Sequence, residues 1–269
     1  MIPAQFSYRR ASTVDEALSL LGEYGEDAKV LAGGHSLLPL MKLRFAAPEV
    51  VVDVGPIDEL RYVRVEDGTV AIGALSRYHD LHQDAVLREH APLVAHVAGE
   101  IGDPQVRHRG TIGGSLAHAD AAADLPAAIL ASDGELVVRG PRGERRIDAK
   151  DFFLGPFTTP LGPDELVTEI RVPVRTGAGW GFEKFTRRAI DWAIVGVAVV
   201  GKSVGLINMG GTPLRATATE EALASGASLA DAAALAAEGA SPVDEPHATA
   251  EYRSHLARVL TARALHQAA

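Results

Sequence analysis

The sequence predicts an α+β fold in three consecutive regions, and three observations point to it. Residues 1–55 alternate helix, strand, glycine loop, helix and strand. Residues 56–175 set helical stretches among strands that pair through short turns, including an apparent hairpin around Pro141-Arg-Gly143. Residues 176–269 carry three strands in succession and then three helices. Helices inserted among mainly antiparallel strands favour α+β over a doubly wound sheet.

Each element has a local reason. Ser12 or Thr13 can cap a helix whose first turn holds Asp15 and Glu16, where the backbone dipole favours anions. Val14, Ala17, Leu18 and Leu21 then recur at helical spacing, and Gly25 supplies a stop. Residues 29–32 read as a short strand. Leu37, Leu40, Met41 and Arg44 resume a helical period with Pro39 in the first turn, where proline is tolerated. The β-branched run 50–54 reads as a strand buried on both faces. In the second region we expect a strand at 69–74, helices at 76–90 and 92–101, a loop at 110–115 and a helix near 124–131. A hairpin at 134–139 and 144–147 and a strand at 165–172 complete it. The third region offers strands at 180–187, 192–200 and 204–209, with helices at 219–223, 229–238 and 249–266. Tyr252, Leu256, Val259 and Leu260 form the expected buried face of the last helix, closed by Arg263.

Composition narrows the function. The 269 residues are 47% hydrophobic and 23% charged, with 27 glycines and a formal charge of −9. A chain of this length can bury a full core without a metal or disulfide staple. The acidic balance argues against a nucleic-acid surface. With no cysteine, the chain can hold neither a disulfide nor a Cys-ligated zinc or iron–sulfur cluster. No signal-like or membrane-length apolar run is evident, so the expectation is a cytoplasmic chain without membrane insertion.

Two glycine pairs are the main candidate chemistry. Ala32-Gly33-Gly34-His35-Ser36 stands between a strand and a helix, and Thr111-Ile112-Gly113-Gly114-Ser115 precedes another helical stretch. Paired glycines let successive N–H groups converge on an anion such as phosphate. A Gly-Gly turn is equally at home as plain structure. The string Gly196-Val-Ala-Val-Val-Gly201-Lys202-Ser203 satisfies the Walker A pattern, but Val-Ala-Val-Val favours a strand over a phosphate loop and no helix is expected after it. Ser36 lacks the second glycine of a nucleophile elbow. The His79/His82 pair has no carboxylate at ligand spacing, and neither a catalytic nor a metal-binding residue is assigned. His118 and Asp120 lie beside the second pair, and Arg107 and Arg109 flank His108. Each can meet a ligand or simply solvent.

Taken as long motifs, residues 32–44 and 103–120 resemble the FAD-binding medium subunit of the molybdenum hydroxylases, the carbon monoxide dehydrogenase and xanthine dehydrogenase group. The resemblance continues through Asp124-Leu-Pro126, Asp151-Phe-Phe153, Phe182-Glu-Lys184, Pro213-Leu-Arg-Ala216 and the terminal helix. It implies a two-part FAD-binding domain of the p-cresol methylhydroxylase type (1–55 and 56–175) followed by a small C-terminal domain (176–269). It further implies that Ala32, Gly33, Gly34, His35, Ser36 and Leu37 wrap the FAD diphosphate, with Thr111, Ile112, Gly113, Gly114 and Ser115 approaching diphosphate and flavin. Asp124 is then expected at the ribityl–adenosine part, Leu161 near the adenine, and Lys184 and Trp192 near the isoalloxazine. Such subunits take electrons from a [2Fe–2S] small subunit and pass them to an external acceptor. A molybdopterin large subunit performs the hydroxylation, and the assembly is a dimer of heterotrimers. A stand-alone FAD oxidase or reductase, or a non-catalytic assembly subunit, is the alternative. Ala121 departs from the usual proline, and the 201–203 turn replaces a longer hairpin.

Overall fold

The computed structural model describes all residues, 1–269, in three sheets. The first region holds β1 (Ser7–Arg10), α1 (Val14–Tyr24), β2 (Ala28–Leu31), α2 (Leu37–Leu43) and β3 (Val50–Asp53). Its sheet is parallel, in the order β1-β3-β2. The central β3 is the Val50-Val-Val run, and all three valines are buried. The cap of α1 is Thr13, whose Oγ1 accepts from the Glu16 N–H, while Glu16 accepts in return from the Ser12 N–H. Strand β1 escapes a sequence reading because all four of its residues are exposed and two are arginines.

The second region contains β4 (Val63–Glu66), β5 (Thr69–Gly73), α3 (Tyr78–Gln83), α4 (Ala85–His90), α5 (Pro92–Glu100), α6 (Pro104–Arg107), α7 (Ile112–His118), α8 (Asp124–Ala131), β6 (Glu135–Gly140), β7 (Gly143–Asp148) and β8 (Leu166–Pro173). The five strands are antiparallel in the order β4-β5-β8-β6-β7. Two expectations need correction here. The helix expected over 76–90 is two helices, because the Asp84 backbone is extended (ψ 124°) and its carboxylate caps the second by accepting from the Leu87 N–H. The loop expected at 110–115 is instead the start of α7, capped by Thr111.

The third region holds β9 (Trp180–Phe185), β10 (Val195–Val200), β11 (Ser203–Ile207), β12 (Leu214–Arg215), α9 (Thr217–Ala224), α10 (Leu229–Ala234) and α11 (Ala250–Gln267). Its antiparallel sheet runs β12-β11-β10-β9. The strand expected from Trp192 begins only at Val195, leaving residues 186–194 as an irregular connection. The Walker-like string is the β10–β11 hairpin: Gly201 turns it at φ 57°, and Lys202 donates to the Leu223 carbonyl. The buried face of α11 is also rotated from the one expected. Arg253, Leu256, Ala257, Leu260, Ala264 and Leu265 face inward, while Tyr252 is 43% exposed. Arg253 is tolerated there because its guanidinium donates to the Val243 and Asn208 carbonyls and pairs with Glu245.

The largest apolar core joins β5, α5, α8, β6 and β8 and takes in Phe182, Ala198 and Ile207 from the third sheet. The inner face of that sheet packs on α8: a Cβ at Gly205 would lie 2.2 Å from the Ala127 carbonyl oxygen. Its other face packs on α10 and α11 in a second core. The third region is thereby seated directly on the second, and the seam carries Asp124 at the start of α8 and Lys184 near the end of β9.

Candidate functional site

The turn between β2 and α2 carries the first glycine pair. Gly33 is needed for close approach, since a Cβ there would lie 2.3 Å from the Arg109 carbonyl oxygen. Gly34 sits at φ +77°, a backbone that side-chain-bearing residues rarely adopt. The consequence is a row of unused donors. The backbone N–H groups of Gly33, Gly34, His35, Ser36 and Leu37 have no acceptor within the chain, and Ser36 makes no side-chain cap. All five residues line one cavity of about 440 Å³.

The second glycine pair faces the same cavity with different chemistry. Its N–H groups are already taken: Ile112 donates to the Ser76 carbonyl, Gly113 to the Ala74 carbonyl and Gly114 to Thr111 Oγ1. Gly113 has no room for a side chain, because a Cβ would lie 2.6 Å from the Ala74 Cβ. Gly114 is exposed and lines the cavity, and beyond Thr111 Oγ1 a Cβ would meet only Ala32, at 3.9 Å. Thr111, Gly113, Gly114 and Ser115 line the cavity, whereas Ile112 is fully buried in the main core and does not. Leu161, Phe157 and Glu165 also line this cavity.

A second compartment of about 240 Å³ continues from the first. His35, Ser36, Tyr78, Ser115 and His118 line both, so the two compartments adjoin. The second compartment holds Asp124, Lys184 and Trp192. Lys184 Nζ donates to Asp124 Oδ2 at 2.6 Å and to the Glu100 carbonyl at 3.2 Å. Both side chains are more than nine-tenths buried. Asp124 Oδ1 is buried and has no donor. Burial pushes the Asp124 carboxyl up to about 6, with Lys184 opposing that rise. Asp124, expected at the ribityl–adenosine part, and Lys184, expected near the isoalloxazine, are thus in direct contact with each other in this compartment. Trp192 is 61% exposed and reaches this compartment from the 186–194 connection.

The space suits a long ligand with an anionic middle. Five unpaired N–H groups can hold a diphosphate, and the orphaned Asp124 oxygen asks for an O–H or N–H donor. Tyr78 is a lining residue that the sequence reading did not name. Its ring packs against Gly110, where a Cβ would lie 2.3 Å away, and burial pushes its hydroxyl up to about 12. No sequence signal marks it, since its role depends on a glycine 32 positions later. Ile101 and Val106, from the segment between α5 and α7, also line the second compartment. Burial holds His118 below its ordinary value, with its ring 5.1 Å from that of Phe157. No group of three or more His, Cys, Asp or Glu side chains is placed to hold a metal ion. No helix is long and apolar enough to cross a membrane.

Comparison with known proteins finds relatives along the whole chain. Residues 4–175 match the family model described as the FAD-binding domain in molybdopterin dehydrogenase, and residues 180–268 match the CO dehydrogenase flavoprotein C-terminal domain. The chain is 43% identical to the carbon monoxide dehydrogenase medium chain of Hydrogenophaga pseudoflava, covering 100% of this chain and 98% of the relative. It is 38% identical to the 6-hydroxypseudooxynicotine dehydrogenase complex subunit alpha of Paenarthrobacter nicotinovorans, over 100% of this chain and 97% of that one. The solved structure of Hydrogenophaga pseudoflava carbon monoxide dehydrogenase lacking the Mo-pyranopterin moiety superposes with a TM-score of 0.95. It shares 44% identity and covers 100% of this chain and 98% of its own.

Proposed function

This chain belongs to the family of FAD-binding medium subunits of molybdenum hydroxylases, and we propose that it carries electrons from a [2Fe–2S] partner subunit to an external acceptor. The observation that carries this reading is the pairing of two unsatisfied features. A cavity lined by a row of free N–H groups at residues 33–37 adjoins a compartment where a buried carboxylate oxygen has no partner. Bound FAD supplies the redox chemistry; the protein supplies position and polarity.

The residues divide the work by their chemistry. The N–H groups of Gly33, Gly34, His35, Ser36 and Leu37 hold the diphosphate without any cation, so this grip does not titrate. Gly114, lacking a side chain, keeps the wall of the first compartment low. Asp124 accepts from the ligand through Oδ1, while Lys184 fixes Oδ2 and keeps the carboxylate charged near neutral pH. Leu161 offers apolar contact at one end, and Trp192 covers the ring end. His35, Ser36 and Ser115 line both compartments and Leu37 and Thr111 the first, while Ile112 holds α7 against the core from behind. The absence of cysteine places any iron–sulfur cluster on another chain, which is why the reading requires an iron–sulfur small subunit and, for hydroxylation, a molybdopterin large subunit. A dimer of such heterotrimers, in the cytoplasm, completes the proposal.

The test is reduction of the bound flavin. The purified, FAD-loaded chain is mixed with the oxidisable substrate of its own complex, alone and after addition of the partner subunits. The expected result is bleaching of the flavin spectrum only when the partners are present. Turnover by the chain alone would replace this reading with a stand-alone oxidase.

A further inference from the structure

Behind the flavin cavity lies a separate cleft of about 440 Å³ that the proposed electron transfer does not use. The two share Ala32, Leu75 and Thr111 as a common wall. The cleft opens where β1 and β3 end, at Arg10 and Asp53, and is closed from the second region by Arg77 and Arg109; Arg61 completes the cationic set. Four arginines around one cleft stand out in a chain of net charge −9. Only Arg61 is spoken for: it pairs with Asp58 at 2.6 Å and donates to the Gly55 carbonyl. Arg10, Arg77 and Arg109 make no salt bridge and no side-chain hydrogen bond within the chain. The remaining carboxylate, Asp53, has both oxygens directed at donors, the Tyr8 hydroxyl and the Gly55 N–H. Three of the twelve lining residues are hydrophobic, so the cleft is polar as well as cationic.

We infer that this cleft is a second anion site, built for a small molecule bearing a diphosphate and distinct from the FAD diphosphate cradle. Planar guanidinium groups bind phosphate through paired N–H donors, and three unpaired ones facing a concave space match two linked phosphates better than a single one. The cleft also has the volume of a small-molecule site, whereas an acidic protein surface would meet exposed cations without needing a concavity. The two anion sites differ in kind: the front site holds its ligand with neutral backbone donors, the rear one with fixed charge. Salt should therefore weaken the rear site alone.

The probe is inorganic pyrophosphate, titrated by calorimetry into the full chain saturated with FAD, so that the front cradle is filled. The expected result is one pyrophosphate per chain, weakened roughly tenfold by Arg77→Gln and again by Arg109→Gln, with FAD content unchanged. Neither side chain makes an internal bond, so both variants should fold, and circular dichroism checks that they do. Arg188→Gln, on the distant 186–194 connection, should leave the affinity alone. ADP separates a nucleotide from a free diphosphate: tighter binding than pyrophosphate supports a nucleotide ligand, and equal binding supports recognition of the phosphates alone. Unchanged affinity in both arginine variants would overturn the inference. So would binding seen only in flavin-free protein, which would return the probe to the glycine cradle. Binding by the isolated chain that disappears in the assembled enzyme would give the cleft to a partner's acidic surface and overturn it equally.

Discussion

Gly33-Gly34 and Gly113-Gly114 are the same dipeptide on the same cavity, the first ahead of α2 and the second in the first turn of α7, and they do opposite things with their backbone. At the first pair the amides from Gly33 to Leu37 are left without acceptors. At the second, Ile112, Gly113 and Gly114 spend theirs on Ser76, Ala74 and Thr111. At the first pair the missing side chains leave those donors open to the cavity. The second lacks side chains so that a helix can press against the strand end at Ala74 and leave the cavity wall low. A glycine pair thus reports close approach, and only the fate of its N–H groups says whether the neighbour is a ligand or the protein itself.

The most direct way to break this comparison is Gly34→Val. At φ +77° a branched residue forces the turn open, and loss of two charge-directed donors costs about 4 kcal/mol, near a thousandfold in FAD affinity. The expected outcome is a folded chain that loses its flavin absorbance on desalting. Flavin retained at one per chain would move the diphosphate away from this turn. Gly113→Val should give the complementary result. Its Cβ would lie 2.6 Å from the Ala74 Cβ and 2.8 Å from the Ala74 carbonyl oxygen, both on the main core. Overpacking of this kind costs about 3 kcal/mol of stability, read as a lower midpoint in thermal unfolding of the flavin-free chain. If this variant kept its stability yet lost FAD, the second pair would also be a ligand cradle.

Why the backbone is legible at the first pair and differs from expectation at the second follows from what each interacts with. Residues 32–36 declare themselves locally, since a strand, two glycines and a helix in succession leave the amides nowhere to go. The loop expected at 110–115 is helical from Ile112 because its partners are remote: Ser76 and Ala74 supply the acceptors for Ile112 and Gly113, which follow them by 36 and 39 positions. The same distance effect hid the Asp124–Lys184 pair, which exists only because β9 is seated on the second region. Strand β1 was invisible because exposed arginines carry no hydrophobic period. The α11 face was misplaced because a buried arginine counts as polar in any periodicity. β3 and α1, whose burial is written in their own residues, could be read directly, and the β6–β7 hairpin is marked by its Pro141-Arg-Gly143 turn.

Acidity sharpens the contrast between the two ends of the cavity. Backbone N–H groups do not titrate, whereas burial raises Asp124 to about 6. A carboxyl whose folded value lies above its unfolded one stabilises the fold fully below the unfolded value, near 4. That stability is lost as pH rises through the folded value. The flavin-free chain should therefore lose about 2–3 kcal/mol between roughly pH 4 and 6 from this group, and Asp124→Asn should flatten that slope. Denaturant unfolding at several pH values measures both. An unchanged slope in the variant would mean that Lys184 cancels the burial of Asp124 entirely.

The smallest effects separate the hydroxyls beside each glycine pair. Thr111 Oγ1 accepts from the Gly114 N–H and so caps α7, while Ser36 precedes α2 and caps nothing. Thr111→Ala should cost about 1 kcal/mol of stability in the flavin-free chain. Ser36→Ala should cost less than about 0.5 kcal/mol there, as expected of a surface change that removes no internal contact. With FAD bound the order should reverse. Ser36 lines both compartments, so its hydroxyl can reach the ligand, and its removal should weaken FAD a fewfold, by about 1 kcal/mol. Thr111→Ala should leave FAD affinity close to the parent's, provided that α7 still starts at Ile112. Matched thermal melts and FAD titrations of the two variants test this crossing directly. Parallel rather than crossed effects would mean that the two glycine pairs act on the ligand as one unit, and the distinction drawn from their N–H groups would fail.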